Sequence, residues 1–280
     1  MTPALQTLHR AWQNPRGRAG ALVLVAVAAA ALLAPPLLPD PLAQPDLLNG
    51  VNLPPGLGHP FGTDQLSRDV FARVVSGGRI SLAVAVLAMA LSITLGAAIG
   101  LIAGYWGGAT DIVLMRLVDG ALAVPRLFLL LLVLAVWERV PIGVLILLIG
   151  TTGWFATSRL VRGEVLRLRE EAYIHAAEAL GAPRRRIIFR HLLPNTLGLL
   201  LVAATLGVGE VILLEAGLSF LGLGIHPPTP SWGGMILEAK EVLVTAPWVG
   251  VFPGLAIVVT VLSADLLGDA LRDSIDLWRA

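Results

Sequence analysis

Cysteine is absent from this chain, which excludes disulfides, thiolate nucleophiles and Cys-ligated metals. Charge is scarce: Asp, Glu, Lys and Arg make up 14% of the 280 residues, against about 25% in ordinary globular domains. Lysine occurs once, at Lys240, so the basic residues are otherwise all arginine. No G-x-x-x-x-G-K-[ST] phosphate loop is present, so the chain cannot bind ATP by that route. No basic run interleaved with aromatics points to nucleic acid. The histidines His9, His59, His175, His191 and His226 are dispersed without metal-ligand spacing. Those at 59 and 226 are read as polar groups of loops. Ser219-Phe220 makes no nucleophile elbow, and His226 lies in a Pro-rich loop, so no catalytic set emerges.

What remains is apolar. Hydrophobic residues make up 56% of the chain and the mean hydropathy is +0.81, the composition of an integral membrane protein. A bilayer core takes roughly 20 apolar residues per helix. Six runs qualify: Ala19–Leu38, Ile80–Ala103, Ile112–Val136, Pro141–Ser158, Thr196–Leu218 and Trp248–Leu267. The first follows Arg10, Arg16 and Arg18, as a signal peptide would, but its length favours a retained span. A polar Pro/Gly-rich excursion covers Asp40 to Arg79, and a Gly/Pro-rich loop covers Gly222 to Gly234. Arginines concentrate in the N-terminal tail, between the fourth and fifth spans, and at the C-terminus. The positive-inside rule therefore places both termini in the cytoplasm. Gly96, Gly100 and Gly104 repeat every four residues in the second span, a spacing that permits close helix approach. Packing within the chain is the expected use. No internal repeat of the inverted-transporter type is evident.

Residues 171–195 form a charged island between the fourth and fifth spans. Tyr173, Ala176, Ala177 and Leu180 fall on one face of a helix, small at its centre. Gly181 stands where a left-handed residue terminates a helix, and Pro183 where a new one starts. Arg184, Arg185 and Arg186 follow. An amphipathic helix on anionic lipid and a helix docked in a protein groove both fit, the glycine break and the alanines favouring the groove. Within the spans, Arg116 and Asp119 are spaced to pair on one helical face. Glu210, Glu215 and Asp265 have no obvious cationic partner inside the apolar runs and should face a water-filled cavity or polar neighbours. They are weak candidates for a translocation path, and a proton relay through them is the alternative reading.

The island resembles the cytoplasmic "EAA" signature of ABC importer permeases, with Ala176, Ala177, Gly181 and Leu193-Pro194 in register. His175 stands where that signature carries an acid. Gly62-Thr63-Asp64, Arg68-Asp69-Val70, Arg79-Ile80-Ser81-Leu82, Met115 to Asp119, Arg159 to Gly163, Leu218 to Gly224, Pro227 to Gly233 and Leu267 to Asp273 are similar to segments of the dipeptide, oligopeptide and nickel permeases. Ser67 replaces the usual glycine before Arg68. The likeness runs from about residue 58 to 276 and points to the second permease subunit of that family. It implies the type I importer permease fold, all-α with six transmembrane helices. Residues 1–76 would hold the cytoplasmic tail, first span and external loop. Residues 77–272 would hold the permease core, with an ATPase-docking segment at about 164–195, and 273–280 a cytoplasmic tail. It further implies a multi-pass protein of a bacterial or archaeal inner membrane and a homologous permease as heterodimeric partner. Two ATPase domains or subunits would bind the ATP, and an extracytoplasmic binding protein would deliver peptides, nickel, glutathione or opines. Tyr173, His175, Ala176, Ala177, Leu180, Gly181, Pro183 and Arg184 would then be the coupling residues. No cofactor is implied in this chain itself.

Overall fold

A computed structural model describes residues 3–137 and 139–276. Among them lie eleven α-helices and no strand: α1 Pro3–Gln13, α2 Pro15–Leu33, α3 Val70–Trp106, α4 Gly108–Leu122, α5 Arg126–Leu134, α6 Ile142–Arg169, α7 Ala172–Ala179, α8 Arg184–Ile187, α9 Leu193–Phe220, α10 Trp232–Ala239 and α11 Trp248–Asp276. Five are long and apolar enough to cross a bilayer: α2, α3, α6, α11 and the continuous α8–α9. The sixth crossing expected over Ile112–Val136 is not one helix. It is α4 and α5, bent by 76° at the break between them. Pro125 causes the break, since it lacks an N–H and disfavours helical backbone at Val124. An apolar run continues through that corner, so hydropathy alone does not reveal it.

The helices also overrun the expected spans. Asp69 caps α3 by accepting the Ala72 N–H at 2.8 Å, so the helix starts at Val70 inside the predicted excursion. Its 37 residues extend about 55 Å at 1.5 Å per residue, well beyond a hydrocarbon core of roughly 30 Å. The helix ends at Gly107 (φ +63, ψ −158), a conformation open to glycine. At the other end of the chain, α11 remains helical through Asp276. The tail expected from 273 is therefore helix as far as it is described, and 277–280, with Arg279, lie outside the described residues.

The glycine repeat of α3 lies against α6, as expected. A Cβ at Gly96 would stand 2.6 Å from Thr157 Cβ, one at Gly100 2.6 Å from Ser158 O, and one at Gly104 2.8 Å from Val165 Cβ. The two backbones thus close to a distance that only glycine allows. Helix α1, hidden within the predicted basic tail, buries Ala11 against Val202 of α9 and Ala270 and Leu271 of α11. The N-terminal helix, the start of α9 after the charged island, and the end of α11 share one end of the bundle. That is the arrangement an N-in, C-in chain requires.

The opposite end is tied by buried ions. Arg73 is 1% exposed and donates to Asp64 Oδ2 at 2.5 Å and to Glu238 at 2.8 and 2.9 Å. Arg68 donates to Asp64 at 2.7 Å and to Glu238 at 2.5 Å. The network clamps the external loop and the start of α3 to α10. Trp248 Nε1 donates to Thr63 O at 3.0 Å, and Phe61 stacks on Phe252 at 3.8 Å, which seals the loop onto α11. Ser67 has φ +60, which explains physically why glycine suits that position.

Candidate coupling site and intramembrane charges

Helix α7 is anchored by one side chain and otherwise projects into solvent. Ile174 is fully buried in a cluster with Val161, Val165 and Leu168 of α6 and Ile187 and Leu192 beyond the break. On the outer side Tyr173, His175, Ala176 and Leu180 are exposed, Leu180 to 88%, while Ala177 is half-buried. The predicted face is therefore a free face, with small residues between two larger apolar ones. Burial and the nearby Glu171 carboxylate hold the Tyr173 phenol above its ordinary pKa, so its hydroxyl stays neutral.

The break follows from hydrogen-bond geometry. Gly181 N–H donates to Glu178 O at 2.9 Å, and Ala182 N–H to Ala177 O at 3.0 Å. This is the Schellman pairing, with Gly181 left-handed at φ +75. Pro183 stands just outside α8, at its N-cap instead of its first turn, and Arg186 N–H donates to its carbonyl at 2.8 Å. The chain then passes through a π-helical turn, Ile188–Leu192, into α9. Pro194 explains the wide turn: its ring would clash with the Arg190 carbonyl in regular helix, and an extra residue relieves the contact. Arg184, Arg185 and Arg186 are exposed and make no ion pair among the described residues.

Arginines of α6 tie that helix to the bundle and to the start of the island. Arg162 forms a two-pronged pair with Asp111 of α4, and Arg159 pairs with Asp119 of α4. Arg169 donates to Gly104 O at 3.1 Å, satisfying a carbonyl in the last turn of α3. Arg167 pairs with Glu164 and Glu171 at 2.9 and 2.8 Å, bridging α6 to the start of α7. The expected Arg116–Asp119 pair exists at 3.7 Å, but the Arg159 contact is the shorter of the two. The path from α7 into α3 and α4 is thus a chain of directed contacts.

The three intramembrane carboxylates occupy different surroundings. Glu215 is 1% exposed and accepts from Ser219 Oγ at 2.7 Å and Ser81 Oγ at 3.3 Å. Ser81 Oγ in turn accepts the Trp232 N–H at 3.2 Å. Glu215 is therefore the centre of a buried polar knot joining α3, α9 and α10. Asp265 is half-buried beside Gly209, and its carboxylate has no side-chain partner among the described residues. Glu210 corrects the expectation that it lacks a cation: Arg126 Nη1 donates to its Oε1 at 3.2 Å. Arg126, absent from the sequence-derived candidates, opens α5 directly after the Pro125 corner. Its position inside an apolar run was the available signal.

A family model described as "Binding-protein-dependent transport system inner membrane component" matches residues 96–277. A putative peptide permease protein of Brucella suis is 42% identical over 276 residues, covering 98% of this chain and 91% of that protein. An oligopeptide transport system permease protein of Bacillus subtilis is 38% identical over 263 residues, 94% of this chain and 86% of that protein. A glutathione transport system permease protein of Pectobacterium atrosepticum is 41% identical over 230 residues, 81% of this chain and 75% of that protein.

Proposed function

The chain belongs to the family of binding-protein-dependent transport system inner membrane components, multi-pass permease subunits of ABC importers, and on that footing we propose that it conducts peptides or related small solutes and is driven through α7. The solute class is drawn from the named activities of its relatives, which include peptide, oligopeptide and glutathione permeases. The observation that carries the coupling reading is the free face of Tyr173, Ala176 and Leu180, ended by the Gly181 hook and followed by three exposed arginines that pair with no described residue. A face of this kind fits a groove on a separate ATPase, and a pair of ATPases would serve this chain and a homologous permease. An extracytoplasmic binding protein would present solute at the end clamped by Arg68, Arg73 and Glu238.

Movement of α7 would pass to the bundle by two routes: the covalent one through α8 and the π turn into α9, and the polar one from Arg167 and Glu171 into α6. The contacts of Arg159 and Arg162 then carry α4 along. Rigid elements joined in this way shift as a body between inward-open and outward-open states. A proton relay has less support: no hydrogen bond links any two of Glu210, Glu215 and Asp265 among the described residues. The test is peptide uptake by the whole complex rebuilt in liposomes with its partner permease, ATPases and binding protein. ATP-dependent uptake that vanadate blocks and an uncoupler spares is expected. Uptake abolished by the uncoupler and indifferent to vanadate would overturn the reading.

A further inference from the structure

Arg126 and Glu210 stand at the same depth. Their neighbour Thr152 is ten residues into α6 from Ile142, and Glu210 is ten residues before the end of α9 at Phe220. At 1.5 Å per residue each lies about 15 Å from the external end of its helix, near the middle of a core of roughly 30 Å. Charges there do not face hydrocarbon. The side chain of Glu210 is nonetheless 71% exposed on this chain, against 23% for Arg126. Both line a cavity of about 230 Å³ with Thr152, Gly153, Leu129 and Ala156.

The arginine is held in place, and its partner only loosely. Arg126 Nη2 donates to Ile149 O at 2.6 Å and Nε to Thr152 Oγ1 at 3.3 Å. A Cβ at Gly153 would come within 2.9 Å of Nη2, so that glycine leaves the guanidinium its room. Toward Glu210 there is a single contact of 3.2 Å. Of the five guanidinium N–H groups, three are used among the described residues, leaving one on each terminal nitrogen, the number a carboxylate takes in a two-pronged contact. Glu210 Oε2 accepts from no described donor. An anchored cation and an exposed anion therefore border one cavity, each with unused hydrogen-bonding capacity.

We propose that Arg126 and Glu210 form a subsite for a zwitterionic solute in transit, Arg126 taking its terminal carboxylate and Glu210 its terminal ammonium, the two pairing with each other when no solute is present. Mutual pairing offsets the cost of leaving either charge alone at this depth. A solute with both termini free replaces both halves of the contact, whereas a capped one replaces only half. The inference rests on the reading of the chain as a peptide permease and names the chemistry that permease would favour.

The test compares uptake of trialanine, trialanine amide and N-acetyl-trialanine by the complete transporter in proteoliposomes. One binding protein serves every comparison, so its own preference cancels when each variant is divided by wild type. Arg126→Gln should lower the preference for trialanine over its amide about tenfold, the low end for a charge-assisted hydrogen bond, and leave the preference over the acetylated peptide unchanged. Glu210→Gln should do the reverse. The exposed Glu210 side chain makes its variant the safer of the two to fold. Ratios equal to wild type in both variants, or the same loss for both caps in each, would make the pair a structural tie and overturn the proposal. If wild type takes up none of the three peptides with ATP, it is the peptide-permease reading that fails.

Discussion

Replacing Gly181 by valine isolates one contribution to coupling. A Cβ at Gly181 would meet no atom within 4 Å, so the cost of a side chain there is set chiefly by the backbone. At φ +75 an L-residue pays about 1–2 kcal/mol, and β-branching adds to it. That is a five- to thirtyfold shift away from the Schellman hook. Asparagine tolerates the left-handed region far better and serves as the matched control. Purified complex in proteoliposomes reports peptide taken up per ATP hydrolysed, and hydrogen exchange at the Gly181 and Ala182 amides, which hold the hook, reports its opening. Gly181→Val should raise exchange at both amides and lower uptake per ATP several-fold, with ATPase activity retained. Gly181→Asn should stay close to wild type. Unchanged coupling in the valine variant alongside faster amide exchange would refute the idea that the hook transmits motion.

Three further substitutions test the frame around the site. Gly100→Ala places a methyl 2.6 Å from Ser158 O and 2.7 Å from Val161 Cβ, so overpacking should cost about 1–3 kcal/mol and lower the thermal midpoint. Gly163→Ala, with no atom within 4 Å, should be neutral or gain up to about 1 kcal/mol from helix propensity. Arg73→Met leaves Asp64 and Glu238 sharing Arg68 alone. Loss of one partner from a buried ion network costs about 3–5 kcal/mol, read as a lower midpoint and faster proteolysis of the external loop.

The break between α7 and α8 was legible in the sequence because its determinants are local. A glycine hook, a proline two residues later and an alanine face all lie within a dozen residues, and backbone sterics fix what each does. The spans were legible for the same reason, since each is a continuous apolar run. The broken crossing was not, because hydropathy sums along the chain and does not register a change of direction at Pro125. Nor were the ion networks, whose partners are far apart: Arg126 and Glu210 are 84 residues apart, Arg68 and Glu238 170. Only tertiary packing brings them together. Asp119 shows the same limit, as its local partner Arg116 was foreseen and its shorter contact, Arg159 on another helix, was not. Helix α1 was obscured by Arg10 and the Arg16 and Arg18 that follow it, which suggested a solvated tail while Thr7 and Ala11 face the bundle.

The absence of cysteine supplies the most direct test of the central claim, that the free face of α7 is where a separate ATPase engages. Leu180→Cys introduces the only thiol at a residue that is 88% exposed. Maleimide labelling of that thiol is compared in permease-only membranes and in membranes that also contain the ATPases, and a short bifunctional thiol–amine reagent then tests for cross-linking. Labelling should be rapid in the first and strongly suppressed in the second, with a cross-linked product containing the ATPase. Equal labelling in both, with no such product, would contradict the claim.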